Sequence, residues 1–128
     1  MDKQSLVLIV DEDPNFREIF IKELGARGFV TETAGSGEEG IEKAKKLKPD
    51  LILMDVKMPG MDGIEAAMKI KDDPETKDIK VVFLTSFGNS EDEIHSLNVR
   101  YSKEIGADGY IRKTDDLDSI ILKIKGFV

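Results

Sequence analysis

The sequence predicts an α/β fold, a doubly wound parallel sheet of five strands with five helices on its two faces. Short continuous runs of Val, Ile and Leu, such as Leu6–Val10, are typical of parallel strands that are buried on both faces. Patterns with helical spacing separate these runs, and the chain shows no repeat or low-complexity linker. Strict alternation of strands and helices requires a parallel sheet with helices on both sides.

Five segments are predicted as strands. Four are continuous apolar runs, and one alternates apolar and polar residues, which places it nearer an edge of the sheet. The segments are residues 6–10, 29–33 (the alternating one), 51–54, 81–84 and 110–111. A doubly wound sheet of five strands usually has the strand order 2-1-3-4-5, and ligands then bind at the carboxyl ends of the strands beside the switch point.

Five helices are predicted from apolar side chains that recur every three or four residues. The first begins at Asp13-Pro14, as N-cap and first-turn proline, and ends near Gly28. The second opens at residues 36–39, Ser-Gly-Glu-Glu, the spelling of a capping box. The fourth runs from residue 89 or 90 toward residue 106. The faces predicted for the other four helices consist of Phe16, Ile19, Phe20 and Leu24; Ile41, Ala44 and Leu47; Ile64, Ala67, Met68 and Lys71; and Leu117, Ile120, Ile121 and Ile124.

Composition limits the chemistry that is open to the chain. Its 128 residues, 40% apolar and 35% charged, fit one globular domain, so residues 1–128 are predicted to form a single domain with no second, output domain. The chain has no cysteine and His95 is its only histidine, which excludes disulfides, thiolate zinc sites and histidine metal clusters. Any chemistry must therefore use carboxylates, hydroxyls, lysines or a bound metal.

Charge and hydropathy narrow the expected partners. The net charge of −7 opposes a nucleic-acid-binding surface, which needs a clustered basic patch, so no direct contact with nucleic acid is expected. No apolar run approaches the ~20 residues that span a bilayer, and no secretory cleavage pattern follows the first residues. A cytoplasmic location without membrane attachment is therefore expected.

Polar residues stand where the predicted strands end. They are Asp11, Glu12 and Asp13 after the first strand, Asp55 at the end of the third, Thr85 and Ser86 at the end of the fourth, and Lys113 after the fifth. Because these strand ends share one crevice, we expect the side chains to converge. Mg²⁺ accepts one or two carboxylates together with waters and phosphate oxygens. A carboxylate can also be the nucleophile in phosphoryl transfer, and a lysine ammonium suits a phosphoryl oxygen. The set predicts a phosphoryl site without a base for hydrolysing water.

These residues lie in four segments: LIVDE at residues 8–12, DVKMPGMDG at 55–63, LTS at 84–86 and GADGYIRK at 106–113. Together the segments resemble the receiver domains of bacterial two-component response regulators. The resemblance covers essentially the whole chain, and the D-x-x-M-P-x-M-D-G pattern is its most specific part. It implies a flavodoxin-like fold and a phosphoacceptor signalling switch that is not an enzyme, apart from weak autodephosphorylation.

The resemblance also implies a role for each matching residue, with Mg²⁺ as cofactor. The roles are phosphorylation for Asp55; Mg²⁺ binding for Asp11, Glu12, Asp55 and the backbone carbonyl of Lys57; and phosphoryl contact or switching for Thr85, Lys113 and Tyr110. The implied donor is a histidine kinase or phosphotransfer protein. A downstream protein target would bind the surface formed by helix 4, strand 5 and helix 5. A monomer or weak dimer is expected.

The chain departs from the family pattern at three places. Glu12 is longer than the more common aspartate, which implies a different water arrangement around the metal. Thr114 follows Lys113, where the family usually has proline, so the loop is expected to differ in shape. The interval from Thr85 to Lys113 is several residues longer than usual, and the surplus falls in or before the fourth predicted helix.

Other interpretations of the same residues stay open at this point. Asp13 is either a third metal ligand or, as we favour, a helix cap. Residues 35–40 spell G-x-G-x-x-G, but they follow the second strand and place two acids where a pyrophosphate would bind, which disfavours a dinucleotide site. An aspartate phosphohydrolase commonly needs an acid two residues after its nucleophile, and that residue is Lys57. A flavin-binding protein of the same fold and a receiver that acts only as an interaction module are further alternatives.

Overall fold

The structure, a computed structural model, describes residues 4–85 and 106–128 of the chain. Five parallel strands form one sheet in the order β2-β1-β3-β4-β5, which confirms the predicted topology. The strands are β1 (Leu6–Val10), β2 (Val30–Ala34), β3 (Leu51–Asp55), β4 (Lys80–Thr85) and β5 (Gly109–Arg112). Each lies within two residues of the predicted segment. The alternating segment is β2, and it lies at an edge of the sheet as expected.

Four helices pack on the sheet in the described part of the chain. They are α1 (Pro14–Ala26), α2 (Gly37–Leu47), α3 (Gly63–Asp72) and α4 (Leu117–Phe127). The last of these is the fifth predicted helix. The fourth prediction, between residues 89 and 106, falls outside the described residues, as does the surplus length before Lys113. None of the helices in residues 4–85 and 106–128 is long and apolar enough to cross a membrane.

The core has two layers, one on each face of the sheet. On one face, Val7, Ile9 and alternate residues of β3 and β4 pack with buried side chains of α1 and α4. On the other, Leu8, Val10 and the intervening residues of these strands pack with α2 and α3. Burial on both faces explains why β1, β3 and β4 consist of continuous apolar residues.

Side-chain caps begin all four described helices. The carboxylate of Asp13 accepts a hydrogen bond from the Asn15 amide at 2.9 Å, so this residue is the helix cap we favoured and not a free ligand. Ser36 Oγ accepts from the Glu39 amide at 3.2 Å, which confirms the predicted helix start. Asp62 and Asp116 cap the other two helices in the same way.

Two of the predicted helix faces each include one residue that is not buried. Ile19 in α1 is 49% exposed and Met68 in α3 is 48% exposed, so neither belongs to the core. The buried stripe of α1 runs through Phe20 and Leu24. Both exposed residues lie at the border of an apolar arc, where a helix that rests on a sheet turns away from it.

Lys71 lies on the predicted inner face of α3, yet its charge is satisfied. Its Nζ donates to the carbonyl oxygens of Ile79 at 2.7 Å and Lys77 at 3.2 Å, and it lies 3.4 Å from Asp108 Oδ2. The same Asp108 oxygen accepts from the Val81 amide at 2.9 Å. The lysine therefore ties the end of α3 to the start of β4 and β5, at the edge opposite the strand ends described next.

Candidate functional site

Four of the predicted residues meet at the carboxyl ends of the strands. The register of the sheet aligns the ends of neighbouring strands. Between β1 and β3, Val10 is opposite Met54. Between β3 and β4, Asp55 is opposite Leu84, and between β4 and β5, Thr85 is opposite Arg112. The residues placed side by side at this edge are therefore Asp11, Asp55, Thr85 and Lys113. The two carboxylates and the threonine are buried. The Lys113 ammonium lies 2.6 Å from Asp11 Oδ2 and 3.2 Å from Asp55 Oδ1, so one cation bridges two buried acids.

Asp11 is held in place by its own main chain and by its neighbours. Its amide donates to the Ala34 carbonyl at 3.0 Å, and its carbonyl accepts from Arg17 Nη1 at 2.6 Å. Its Oδ1 accepts from the Asp13 amide at 2.9 Å. The other oxygen, Oδ2, is buried, and within the described residues it has the Lys113 ion pair but no hydrogen bond of good geometry. This oxygen is thus a fixed acceptor with unused capacity.

Asp55 is the carboxylate whose protonation the site perturbs. Its pKa is raised from 3.8 to about 6, chiefly by burial and in addition by the neighbouring negative charge of Asp11. The Lys113 ammonium and a hydrogen bond from the backbone amide of Lys57 act against this rise. The effects that raise the pKa of Asp55 are larger than those that lower it, so one ammonium does not compensate two buried carboxylates. A further cation would therefore be stabilised here.

The loop after β3 folds back on Asp55 through a glycine. The Gly63 amide donates to the Val56 carbonyl at 2.9 Å. A Cβ on Gly63 would lie 1.9 Å from the backbone oxygen of Asp55, a distance that no side chain permits. The Asp-Gly pair of the sequence pattern therefore has two structural roles. Asp62 caps α3, and Gly63, which has no Cβ, lets that helix begin against Asp55.

Lys113 has a third partner that the sequence did not indicate. Its Nζ lies 4.5 Å from the centroid of the Phe16 ring, within the range of a cation–π contact. Its backbone amide donates to the Thr85 carbonyl at 2.8 Å, which holds the residue at the end of β5. The spacing of Phe16 predicts a core residue of the first helix, and no sequence signal distinguishes a core phenylalanine from one that also faces a lysine.

The surroundings of Thr85 support its predicted role, whereas those of Tyr110 do not distinguish it from an ordinary packed residue. The hydroxyl of Thr85 is buried and has no hydrogen-bond partner among the residues described, so it is a spare donor at the site. Tyr110 is half-buried and packs against the core layer that contains Phe83, its partner in the sheet. That packing is what an ordinary residue of an edge strand shows, and the predicted switching role stays a prediction.

Glu12 and Lys57 stand apart from the buried acids. Glu12 is exposed, and no group of three or more His, Cys, Asp or Glu side chains in residues 4–85 and 106–128 is arranged to hold a metal ion. The side chain of Lys57 is also exposed, while its backbone amide is bonded to Asp55. Two buried carboxylates that share one positive charge still fit Mg²⁺, because this ion takes only one or two carboxylates and keeps several waters.

The glycine-rich run at residues 35–40 has a structural explanation. The Gly35 amide donates to Glu39 Oε1 at 2.6 Å, so it is already occupied by the helix cap. A Cβ on Gly40 would lie 3.0 Å from a methyl group of Val10, and one on Gly37 would lie 3.1 Å from the Met61 carbonyl. Close packing of α2 against β1 and the loop before α3 accounts for these glycines.

The raised pKa of Asp55 predicts how stability depends on pH without metal. The native state binds the extra proton between pH 3.8 and about 6, so this residue makes the fold less stable as the pH rises through that window. Asp55→Asn removes the charge. We expect its free energy of unfolding to exceed that of the wild type by about 1–3 kcal/mol at pH 7.5, with little difference at pH 4. Urea unfolding of both proteins in EDTA measures this, and parallel pH profiles would contradict it.

The chain is similar to known proteins in both sequence and structure. The family model of the response regulator receiver domain matches residues 7–125. The DNA-binding response regulator MtrA of Mycolicibacterium smegmatis is 29% identical over 119 residues, which are 93% of this chain and 48% of that protein. The DNA-binding dual master transcriptional regulator RpaA of Synechocystis is 30% identical over 122 residues, 95% of this chain and 48% of that protein. The chain thus spans about half the length of the curated relatives it matches.

Solved structures with the same fold include a protein with a bound metal. The chemotaxis protein CheY4 of Vibrio cholerae superposes with a TM-score of 0.85 at 26% identity, covering 98% of this chain and 100% of that one. The response regulator TrrA of Thermotoga maritima, crystallised in complex with Mg²⁺ and BeF, superposes with a TM-score of 0.79 at 31% identity, with coverage of 98% and 100%.

Proposed function

The chain belongs to the response regulator receiver domain family, and on this premise we propose that it is a switch that accepts a phosphoryl group on Asp55 with the aid of Mg²⁺. The observation that carries the proposal is the bridge of Lys113 between the buried carboxylates of Asp11 and Asp55, at 2.6 and 3.2 Å. It supports a site with a nucleophile, a cation ligand and a partner for a phosphoryl oxygen at one point of the sheet.

Asp55 is the nucleophile of the proposed transfer. A carboxylate oxygen of Asp55 forms the new O–P bond while the N–P bond of a phosphorylated histidine on a kinase or phosphotransfer protein breaks, and the imidazole leaves with the electron pair. With a pKa of about 6, Asp55 is mostly ionised at neutral pH and can act without a general base. The hydrogen bond from the Lys57 amide orients the carboxylate.

The other side chains at the strand ends bind the metal and the transferred group. We assign Mg²⁺ binding to Asp11 and Asp55, to the backbone carbonyl of Lys57, and to Glu12 acting through water because its side chain is exposed. Mg²⁺, when bound, would neutralise charge on the phosphoryl oxygens during the transfer. Lys113 keeps its contact with residue 55 and pairs with a phosphoryl oxygen there.

The switch follows from the charge that Asp55 gains. An aspartyl phosphate carries close to two negative charges where the carboxylate carried one. The buried Thr85 hydroxyl, a donor without a partner among the described residues, would turn to it and draw the end of β4 along. Tyr110 on β5 would follow inward. The surface of the fourth predicted helix, β5 and α4 then shifts between two populations, of which a protein target prefers one.

The remaining assignments concern the receiver domain alone. We propose that residues 1–128 form a single receiver domain that acts in the cytoplasm as a monomer or weak dimer, and that its own partners are proteins. MtrA and RpaA are named as DNA-binding regulators, but this chain matches only about half of each and has a net charge of −7. Receiver domains are signalling switches and not enzymes, and we propose only weak autodephosphorylation.

Removing the metal is expected to abolish the modification. Incubation of the wild type with acetyl phosphate and Mg²⁺ should add one phosphoryl group, seen by intact mass, and the same incubation with EDTA should add none, because the developing charge on the phosphoryl oxygens is then not neutralised. The adduct should resist acid and be lost in base, as an acyl phosphate is. An adduct that forms equally well in EDTA, or none in Mg²⁺, would overturn the proposal.

A further inference from the structure

Lys113 lies in the resting site between an acid and an aromatic ring that belong to the same part of the chain. Its ammonium is 2.6 Å from Asp11 Oδ2 and 4.5 Å from the centroid of the Phe16 ring. Asp11 directly follows β1, and Phe16 lies in the first turn of α1. Asp55, 3.2 Å from the same ammonium, belongs to β3. Two of the three contacts therefore hold the lysine at the β1–α1 side of the site.

The position of Lys113 conflicts with metal binding. Asp11 Oδ2 is the buried oxygen that can still accept a further partner, and the ammonium already lies 2.6 Å from it. A divalent cation that binds Asp11 through Oδ2 must displace the lysine from this oxygen or share the oxygen against the repulsion of a like charge. Whatever stabilises the lysine on Asp11 therefore weakens the binding of Mg²⁺.

We propose, on the basis of the function proposed above, that Phe16 is a positioning residue that sets the affinity of the site for Mg²⁺ by holding Lys113 on Asp11. The lysine side chain is only 18% exposed, so the contact of its ammonium with the ring is largely shielded from water. Movement of Lys113 toward a phosphoryl group on Asp55 takes it away from α1 and from the ring. The aromatic face thus favours the metal-free, unphosphorylated state.

Packing alone is the competing explanation for Phe16. Its ring centroid lies 4.6 Å from that of Phe20, at an interplanar angle of 51°, and the pair adjoins the core layer of α1 and α4. If packing were its whole role, loss of the ring would lower stability and leave metal affinity unchanged or weaker. The proposal predicts the opposite change in affinity, so the sign of the effect distinguishes the two explanations.

The test is a titration of the whole chain with MgCl₂, followed by the backbone amide signals of the Asp55 loop in NMR spectra. Phe16→Leu should bind Mg²⁺ about three- to tenfold more tightly than the wild type, the change expected for loss of one partly buried cation–π contact. Phe16→Tyr keeps the aromatic face and should stay within about twofold of the wild type. Phe20→Leu removes the neighbouring ring and should lower stability without changing the Mg²⁺ affinity.

A double-mutant cycle with Lys113 completes the test. In the Lys113→Ala background, Phe16→Leu should have no effect on Mg²⁺ affinity, because the cation that the ring holds is absent. Equal affinity of Phe16→Leu and wild type, or an equal gain with and without Lys113, would overturn the role of Phe16 and leave the proposed function intact. A wild type that binds no Mg²⁺ at all would overturn both.

Discussion

Asp55→Asn is expected to abolish phosphoryl acceptance completely. Asparagine keeps the shape of the side chain but has no anionic oxygen to form the O–P bond. Asp11 is the only other carboxylate that contacts Lys113 in the described structure, and it is bonded to the Asp13 amide. Intact mass after incubation with acetyl phosphate and Mg²⁺ should show one adduct for the wild type and none for the variant.

Asp62→Asn is a matched control for this substitution. Asp62 lies in the same loop, but it is exposed and caps α3 through a 2.8 Å hydrogen bond from the Glu65 amide. Asparagine is as good a cap as aspartate, so the helix start should be retained. This variant should be phosphorylated like the wild type. An adduct that survives in Asp55→Asn, or one that disappears in Asp62→Asn, would show that the nucleophile is misassigned.

Gly63→Ala is expected to destabilise the fold by about 2–4 kcal/mol, because the added methyl group requires a shift of backbone and not of a flexible side chain. The new Cβ would lie 1.9 Å from the Asp55 oxygen and 3.0 Å from a side-chain carbon of Met54. Relief of this overlap moves either the start of α3 or the end of β3. We therefore expect phosphorylation of the variant to slow as well, since either movement changes the contact between α3 and Asp55.

Gly25→Ala is the control for the glycine substitution. Gly25 lies within α1, is exposed, and has no atom within 4 Å of the position a Cβ would take. Alanine there should stabilise the protein by about 0.5–1 kcal/mol, because it lowers the entropy that the chain loses when the helix forms. Urea unfolding of the two variants should thus give changes of opposite sign. A Gly63→Ala protein as stable as the wild type would show that the contact with Asp55 is loose.

Much of the fold could be predicted from local patterns. Strands β1, β3 and β4 lie in the sheet interior, and burial on both faces requires the apolar runs by which they were found. The caps at Asp13 and Ser36 were found because a cap satisfies amides two or three residues away, a relation wholly within the local sequence. The convergence of Asp11, Asp55, Thr85 and Lys113 also followed, since parallel strands bring their carboxyl ends to one edge.

Other features depended on packing between distant segments. The spacing of Ile19 and Met68 fitted a buried face, but how each helix rests on the sheet decides which border residue is exposed. Phe16 has the same spacing as a core residue, and its contact with Lys113 joins the first turn of α1 to the end of β5. Glycine is likewise required at residue 63 because a Cβ there would overlap the backbone oxygen of Asp55, a contact that no local sequence pattern reveals.

By itself, the sequence determined the order of the elements and which reactive groups stand at the strand ends, because both follow from periodicity and chain direction. Only the tertiary structure decided how those groups interact: that Asp11 and Asp55 share one ammonium, that burial raises the pKa of Asp55, and that Glu12 is exposed. Charge interactions depend on distances and on the exclusion of water, and both are set only when separate strands and helices pack together.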